Sequence, residues 1–150
     1  MRAVIQRVDH ASVVVNGQTV GQIQKGIMVL IGMIESDDEK VMDYMLDKIS
    51  NLRIFEDENE KMNLSLFDID GELLIVPNFT LYGDARKGKR PSYSTAASPQ
   101  KAEILFEQFV EKAKKLNLKK IETGKFQEHM DVTLLNNGPV TILLDSEKKF

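Results

Sequence analysis

Ala11-Ser12-Val13-Val14-Val15-Asn16-Gly17-Gln18-Thr19-Val20-Gly21-Gln22-Ile23 is the stretch on which the fold turns. Two segments, the first rich in β-branched residues, flank an Asn-Gly step. Both central positions of a type I′ turn need a positive φ, which Asn tolerates and Gly adopts freely, and the twist of that turn matches the strands it joins. The stretch therefore predicts a β-hairpin. Upstream, Arg2 to Val8 reads as another strand. Downstream, Gly26 to Ile34 is apolar at nearly every position and predicts a central strand covered on both faces.

Helix signals come next. Ser36-Asp37-Asp38-Glu39 reads as a capping box, with the Ser36 hydroxyl taking an orphan amide and Glu39 reaching back to the Ser36 amide. Val41, Met45, Ile49 and Leu52 then recur as one apolar stripe behind an acidic first turn that suits the helix dipole. Arg53 to Phe55 predicts a short strand before the acidic Glu56 to Lys61. Leu73 to Val76 predicts a buried strand stopped by Pro77, with Asn78 to Tyr82 continuing extended. A second helix is expected from Ser98 as N-cap and Pro99 at the first helical position, striped by Ala102, Leu105, Phe106, Phe109, Ala113 and Leu116. Lys119 to Glu122, Asp131 to Leu135 and Val140 to Leu144 complete the strands. Strands on either side of two helices, without βαβ regularity, predict an α+β fold with a mixed, largely antiparallel sheet.

The chain of 150 residues is 42% hydrophobic and 29% charged, with no Cys. That profile predicts one domain over residues 1–150, large enough to hold a core without disulfides or a structural metal. Thiol nucleophiles and zinc ribbons are excluded. Met1 to Val8 alternates instead of forming a signal-like apolar run, and the run Ile27 to Ile34 is far too short to span a bilayer. A cytoplasmic protein with no membrane contact is expected. Net charge is −3, but residues 1–75 carry seven Lys/Arg against fourteen Asp/Glu, while residues 76–150 carry thirteen against nine. A polyanion would meet the second half, where Asp84-Ala85-Arg86-Lys87-Gly88-Lys89-Arg90-Pro91 forms a basic loop that cannot be core.

His10 and His129 are the only imidazoles, and neither sits in a nucleophile or metal-ligand motif. No glycine-rich phosphate cradle is present, so no metal and no cofactor are expected. Two stretches stand out. Pro77-Asn78-Phe79-Thr80-Leu81-Tyr82 places polar side chains where a strand leaves the sheet, and Asn136-Asn137-Gly138-Pro139-Val140-Thr141 puts Gly-Pro where an Asn-Gly hairpin would suffice. On the residues alone, Thr80 fits a strand hydroxyl satisfied in place, and Gly138-Pro139 fits a plain turn.

Over essentially its whole length the chain resembles the D-aminoacyl-tRNA deacylase family. The resemblance is carried by Met1-Arg2-Ala3-Val4-Ile5-Gln6-Arg7-Val8, Leu52-Arg53-Ile54-Phe55, Lys61-Met62-Asn63-Leu64-Ser65-Leu66, Phe79-Thr80-Leu81-Tyr82-Gly83-Asp84, Lys87-Gly88-Lys89-Arg90-Pro91-Ser92 and Asn137-Gly138-Pro139-Val140-Thr141. It implies a barrel-like α+β homodimer with active sites at the subunit interface. The implied activity is hydrolysis of the ester joining a D-amino acid, or glycine mischarged on tRNA-Ala, to the terminal ribose of tRNA. In this family a Ser-Gln-x-Thr-Leu motif forms the ester pocket, and Pro77-Asn78-Phe79-Thr80-Leu81 stands in its place. Pro77 removes a hydroxyl and a backbone donor, and Asn78 keeps the amide one methylene shorter. Related animal deacylases carry proline there and differ in stereochemical strictness, so the change bears on selectivity. Gln127-Glu128 also replaces the usual Gly-Ala.

The resemblance implies roles residue by residue. Thr80 orients substrate or water, with action as a nucleophile ranked second, beside the Phe79 amide and Asn78. Phe126 and Met130 line the terminal adenine pocket. Gly138 and Pro139, anchored by Arg7, push main-chain carbonyls into the neighbouring subunit's pocket through a cis bond and exclude L side chains. Arg86, Lys87, Lys89 and Arg90 are candidates for phosphate contact at the acceptor end. The expected partner is aminoacyl-tRNA, and no DNA. Two other readings stay open: an editing deacylase of relaxed stereospecificity, and a non-catalytic tRNA-binding homologue.

Overall fold

The computed structural model describes residues 1–150. The chain runs β1 (Arg2–Val15), β2 (Gln18–Ile23), β3 (Gly26–Gly32), α1 (Glu39–Asn51), β4 (Phe55–Glu56), β5 (Met62–Leu64), β6 (Glu72–Pro77), a 3-10 turn (Phe79–Tyr82), α2 (Pro99–Lys114), β7 (Lys120–Thr123) and β8 (Asp131–Asp145). The hairpin forms as expected: Asn16 and Gly17 have φ of 49° and 77°, and Val15 pairs with Gln18.

β1 organises the sheet. Its predicted halves, Arg2 to Val8 and Ala11 to Val15, are one strand. One edge pairs antiparallel first with β3, from Arg2 to Val8, and then with β2, from Ala11 to Val15, while β8 pairs along much of its length. Handing one edge from β3 to β2 curls the sheet, and at its other margin the Lys120 ammonium on β7 donates to the Gln22 carbonyl on β2 (2.7 Å). The result is a nearly closed, barrel-like α+β core. β6 pairs parallel with β3, and β7 parallel with β6, each across a helical crossover that the irregular spacing of the sequence concealed.

Two apolar clusters result. The larger, of 21 buried residues, lies under α1 and α2 and includes Ile5, Val29, Ile49, Leu73 and Phe109. The smaller joins Val8, Val13, Ile23, Met28 and Leu74. β3 is buried on both faces, although it ends at Gly32, two residues short of the expected Ile34. No helix is long and apolar enough to cross a membrane.

Several expectations are corrected. Asp38, not Ser36, caps α1, accepting from the Val41 amide (3.0 Å), because Ser36 lies in a turn closed by the Asp37 amide on the Ile34 carbonyl (3.1 Å) and locked by the Asp37 carboxylate, which accepts from the Met1 ammonium (2.6 Å) and the Ile34 amide (2.8 Å). The buried face of α1 therefore rotates to Met42, Met45, Leu46, Ile49 and Ser50, leaving Val41 half-buried and Leu52 beyond the end. Pro77 is the last residue of β6, where its missing amide falls at the end of the ladder. Asn78 continues extended (φ −149°, ψ 95°), but Phe79 to Tyr82 do not. Ser98 caps α2 without a side-chain bond, and its amide donates to the Glu35 carboxylate (2.7 Å). The short strand lies at Phe55–Glu56 and pairs with β5; β7 begins at Lys120.

The largest correction concerns Asn136 to Thr141. The predicted strands Asp131 to Leu135 and Val140 to Leu144 are one strand, β8. Residues before the Gly138–Pro139 step pair with Val8 to Val14, and those after it pair with Arg2 to Gln6 in the same direction. Gly138-Pro139 is therefore no turn. It is a bulge pushed out of a continuous strand, with a cis peptide bond between the two residues.

Candidate active site

Because β3, β6 and β7 run parallel, they deliver the loops that follow them to the same edge of the sheet. Crevices outside the carboxyl ends of parallel strands gather side chains from separate parts of a chain. Here the crevice is a cleft of about 800 Å³. Met33 follows β3, Asn78 and Phe79 follow β6, Phe126 and Met130 follow β7, and Ala102 on α2 closes one side.

The backbone turn after β6 has a local cause. The Asn78 amide donates to the Ile31 carbonyl (2.8 Å), continuing the ladder by one residue past Pro77. Its side-chain oxygen then accepts from the Thr80 amide (3.1 Å) and the Thr80 hydroxyl (2.5 Å). A short polar side chain that bonds backbone two residues on offers the chain a turn in place of a strand, which is why Phe79–Tyr82 coil into a 3-10 turn. Phe79 is left 58% exposed. The Thr80 hydroxyl therefore gives its proton to a neutral amide oxygen, which cannot act as a base.

On the opposite wall, Phe126 stacks on Phe106 with centroids 6.0 Å apart, tying it to α2 and the core. Met130 is held by a bond from the Lys125 amide to its Sδ (3.3 Å). The intervening Gln127 has φ of 58°, and Glu128 and His129 line the rim. His129 lies 3.6 Å from Asp131, and neither it nor His10 bonds a hydroxyl. No three Asp, Glu or His side chains converge on a point where an ion could sit.

Beneath the 3-10 turn, the Tyr82 hydroxyl is buried without a hydrogen-bond partner. Burial, with the Asp37 and Asp145 charges, pushes it far above the usual phenol range. Arg2 stacks on the Tyr82 ring at 4.6 Å. The basic loop hangs beside this edge. Asp84 and Arg86 pair at 2.7 Å, and the bonds from Arg86 hold the Asp84 carboxyl well below the usual carboxylate range. Lys87, Lys89 and Arg90 are exposed and do not line the cleft.

Arg7 and the Gly138-Pro139 bulge are elsewhere. Arg7 pairs with Ile27, five residues along β3 from Gly32, which is roughly 17 Å at strand spacing. There the bulge is held firmly. The Arg7 guanidinium, 7% exposed, donates to the Asn137 carbonyl (3.1 Å) and the Ile54 carbonyl (2.7 Å) and faces Glu56 at 3.6 Å. Asn136 donates to the carbonyls of Arg7 (3.0 Å) and Val140 (2.9 Å), and Asn137 donates to Asp9 (2.9 Å).

Sequence reasoning thus named Asn78, Phe79, Phe126 and Met130, which line one cleft, and Thr80 beside it. Met33, Tyr93, Ala97 and Ala102 also line the cleft without having been singled out as site residues, Ala102 being expected only in the apolar stripe of α2. Tyr93 was findable as an aromatic following the basic loop; the others carry only ordinary core signals.

The family model for D-Tyr-tRNA(Tyr) deacylase matches residues 4–145. The chain is 60% identical over 150 residues to the D-aminoacyl-tRNA deacylase of Thermosipho africanus (strain TCF52B) and 59% identical to that of Clostridioides difficile (strain 630), covering 100% of each sequence. Among solved structures it is similar to the c-Myc DNA unwinding element binding protein, with a TM-score of 0.91 and 41% identity over 97% of this chain and 98% of that one. It is also similar in fold to a probable eukaryotic D-amino acid tRNA deacylase, with a TM-score of 0.79 and 17% identity over 95% and 97% of the two chains.

Proposed function

Since this chain belongs to the D-aminoacyl-tRNA deacylase family and is an ester hydrolase of that class, we propose that it clears D-aminoacyl and glycyl esters from tRNA at the cleft described above and rejects L-aminoacyl esters by shape. The terminal adenine stacks between Phe126 and Met130, whose apolar, polarizable surfaces suit a purine face. The ester carbonyl lies against the Phe79 amide, since the Thr80 amide is taken by Asn78. Water adds to the carbonyl carbon, the ester C–O bond breaks, and the ribose oxygen leaves with a proton, assisted by its neighbouring hydroxyl. An aminoacyl ester is already activated, so positioning and amide donation to the developing oxyanion supply much of what is needed. Thr80 orients water or substrate; its bond to the Asn78 oxygen supports that role over the nucleophile.

The wall that excludes L side chains comes from the Gly138-Pro139 bulge of a second copy, held by Arg7. The homodimer is part of the proposal because the bulge of one chain lies too far from its own cleft. Such a wall recognises nothing on the substrate, so specificity arises by rejection, and glycine, with no side chain to reject, is hydrolysed too. Glycine mischarged on tRNA-Ala belongs in this class. Lys87, Lys89 and Arg90 contact phosphates of the acceptor end. Residues 1–150 act as one domain, in the cytoplasm.

The observation that carries this reading is that Asn78 and Phe79 face Phe126 and Met130 across one cleft, although they are far apart in sequence. A second reading, relaxed stereospecificity, is favoured by Pro77, which lines that cleft where the family has a hydroxyl. Turnover of matched D-, L- and glycyl-tRNA separates the two. The first reading expects D and glycyl esters hydrolysed and L spared, and Thr80→Ala lowering kcat by about 10- to 100-fold with KM unchanged. Hydrolysis of the D ester with the glycyl ester spared would overturn rejection by shape.

A further inference from the structure

Phe79 and Tyr93 are 58% and 40% exposed, yet they pack on each other with centroids 5.2 Å apart and planes at 75°. In such an edge-on pair one ring spends a face and the other an edge, so three of the four π faces stay outside the pair. Both rings line the cleft that Phe126 and Met130 also line. Tyr93 is seated where Gly83 has no side chain: a Cβ there would come 3.0 Å from its ring.

The chain between the two rings is unusual. The loop Arg86 to Arg90 ends three residues before Tyr93, and its base is closed by paired bonds between Asp84 and Ser92 (2.8 and 2.9 Å). Arg86 is neutralised by Asp84, whereas Lys87, Lys89 and Arg90 make no ion pair within the chain. Exposed aromatic faces beside free cations are the combination that binds single-stranded nucleic acid, with bases on the rings and phosphates on the cations.

We propose that Tyr93, supported edge-on by Phe79, is the stacking platform for the nucleobase immediately 5′ of the terminal adenosine, a cytosine at the CCA end of tRNA. The inference rests on the deacylase reading, which places the terminal adenine at Phe126 and Met130. The strand then runs from the cleft across Tyr93 and leaves over Lys87, Lys89 and Arg90. A cleft of about 800 Å³ lies in the upper part of the 300–1,000 Å³ range of small-molecule sites, room that a second planar group uses. Tyr93 touches no reacting atom, so it acts on binding and leaves the chemical step alone.

Calorimetric titration with the dinucleotide CpA and with 5′-AMP tests this on the wild type, Tyr93→Ala and Tyr93→Phe. One stacked base corresponds to roughly a 5- to 150-fold gain in affinity, so CpA is expected to bind the wild type more tightly than AMP by a factor in that range. Tyr93→Ala brings CpA to within about twofold of AMP, Tyr93→Phe keeps the preference, and AMP binds all three alike. KM for D-aminoacyl-tRNA rises in Tyr93→Ala while kcat holds. Equal affinity of the wild type for CpA and AMP, or weakening of AMP as much as CpA in Tyr93→Ala, overturns the platform. A Tyr93-dependent preference for CpA without turnover of D-aminoacyl-tRNA removes the deacylase reading and keeps the platform; turnover without the preference removes the platform alone.

Discussion

The cleft at the ends of β3, β6 and β7 and the bulge in β8 are built in opposite ways. The cleft is assembled by loops after three parallel strands, it exposes Phe79 and Tyr93, and few of its side chains are pinned by polar bonds. The bulge is a short interruption of an antiparallel strand in which Arg7, Asn136 and Asn137 together bind four carbonyls and a carboxylate. Adaptable apolar surface suits a flat base, and a rigid backbone suits exclusion. Roughly 17 Å of β3 separates the two within one chain. One subunit therefore holds both halves of the proposed site but cannot bring them together.

The largest effect is expected at the bulge. Gly138 has φ of +124°, and a Cβ there would come 2.8 Å from Val140 and 2.9 Å from the Arg7 guanidinium. Gly138→Ala should shift the wall and reduce the ratio of D to L turnover by about 100-fold, as displacements near 1 Å do in catalytic sites; an unchanged ratio would detach the bulge from selectivity. Next is Arg7→Met. Removing a buried cation leaves the Ile54 and Asn137 carbonyls without their donor, and urea unfolding should show a loss of about 3 kcal/mol, together with reduced discrimination. Lys87→Ala with Lys89→Ala should leave discrimination intact and flatten the salt dependence of tRNA binding by about one counterion per lost contact.

The smallest effect lies in neither region. Lys112 on α2 bridges Asp43 (2.7 Å) and Glu39 (2.8 Å) on α1, and these bonds, Asp43 first, raise its pKa. A raised folded-state pKa gives stability that is present below the unfolded value near 10.4 and fades as pH rises through the folded one. Thermal unfolding of Lys112→Met should lose that alkaline decline while D-aminoacyl-tRNA turnover at neutral pH stays at the wild-type rate.

Much of the fold was legible because local chemistry agreed with tertiary structure. Asn16-Gly17 allowed one hairpin, the apolar run Gly26 to Ile34 marked a doubly covered strand that forms over Gly26–Gly32, and Ser98-Pro99 marked a helix start. The failures have a common physical origin in competition for a polar group. Asp37 closes a turn on Ile34 and holds the Met1 ammonium, which keeps Ser36 inside that turn and moves the cap of α1 from Ser36 to Asp38. Asn78 bonded Thr80 and converted an expected strand into a 3-10 turn. Asn136-Asn137-Gly138-Pro139 carries every local mark of a hairpin, but β1 is long enough to pair on both sides of it, so the chain continued straight. Site residues with unusual chemistry or in the stretches that carry the resemblance were visible, whereas Met33 and Ala102 became cleft residues only through the parallel crossovers.

Whether the site is shared between two copies is decided by complementation. Thr80→Ala disables the cleft, and Gly138→Phe, whose side chain would overlap Val140 and Arg7 of its own chain, should drive the bulge outward to block its partner's cleft; each variant is first checked for a folded circular dichroism spectrum. When the two chains are co-expressed, half of the dimers are mixed, and each mixed dimer holds one intact cleft facing one intact bulge. Turnover of D-aminoacyl-tRNA should then recover to about a quarter of the wild-type rate, as the statistics of an isologous dimer require. Turnover no higher than the mean of the two variants alone would place cleft and bulge in separate functions and contradict a shared site.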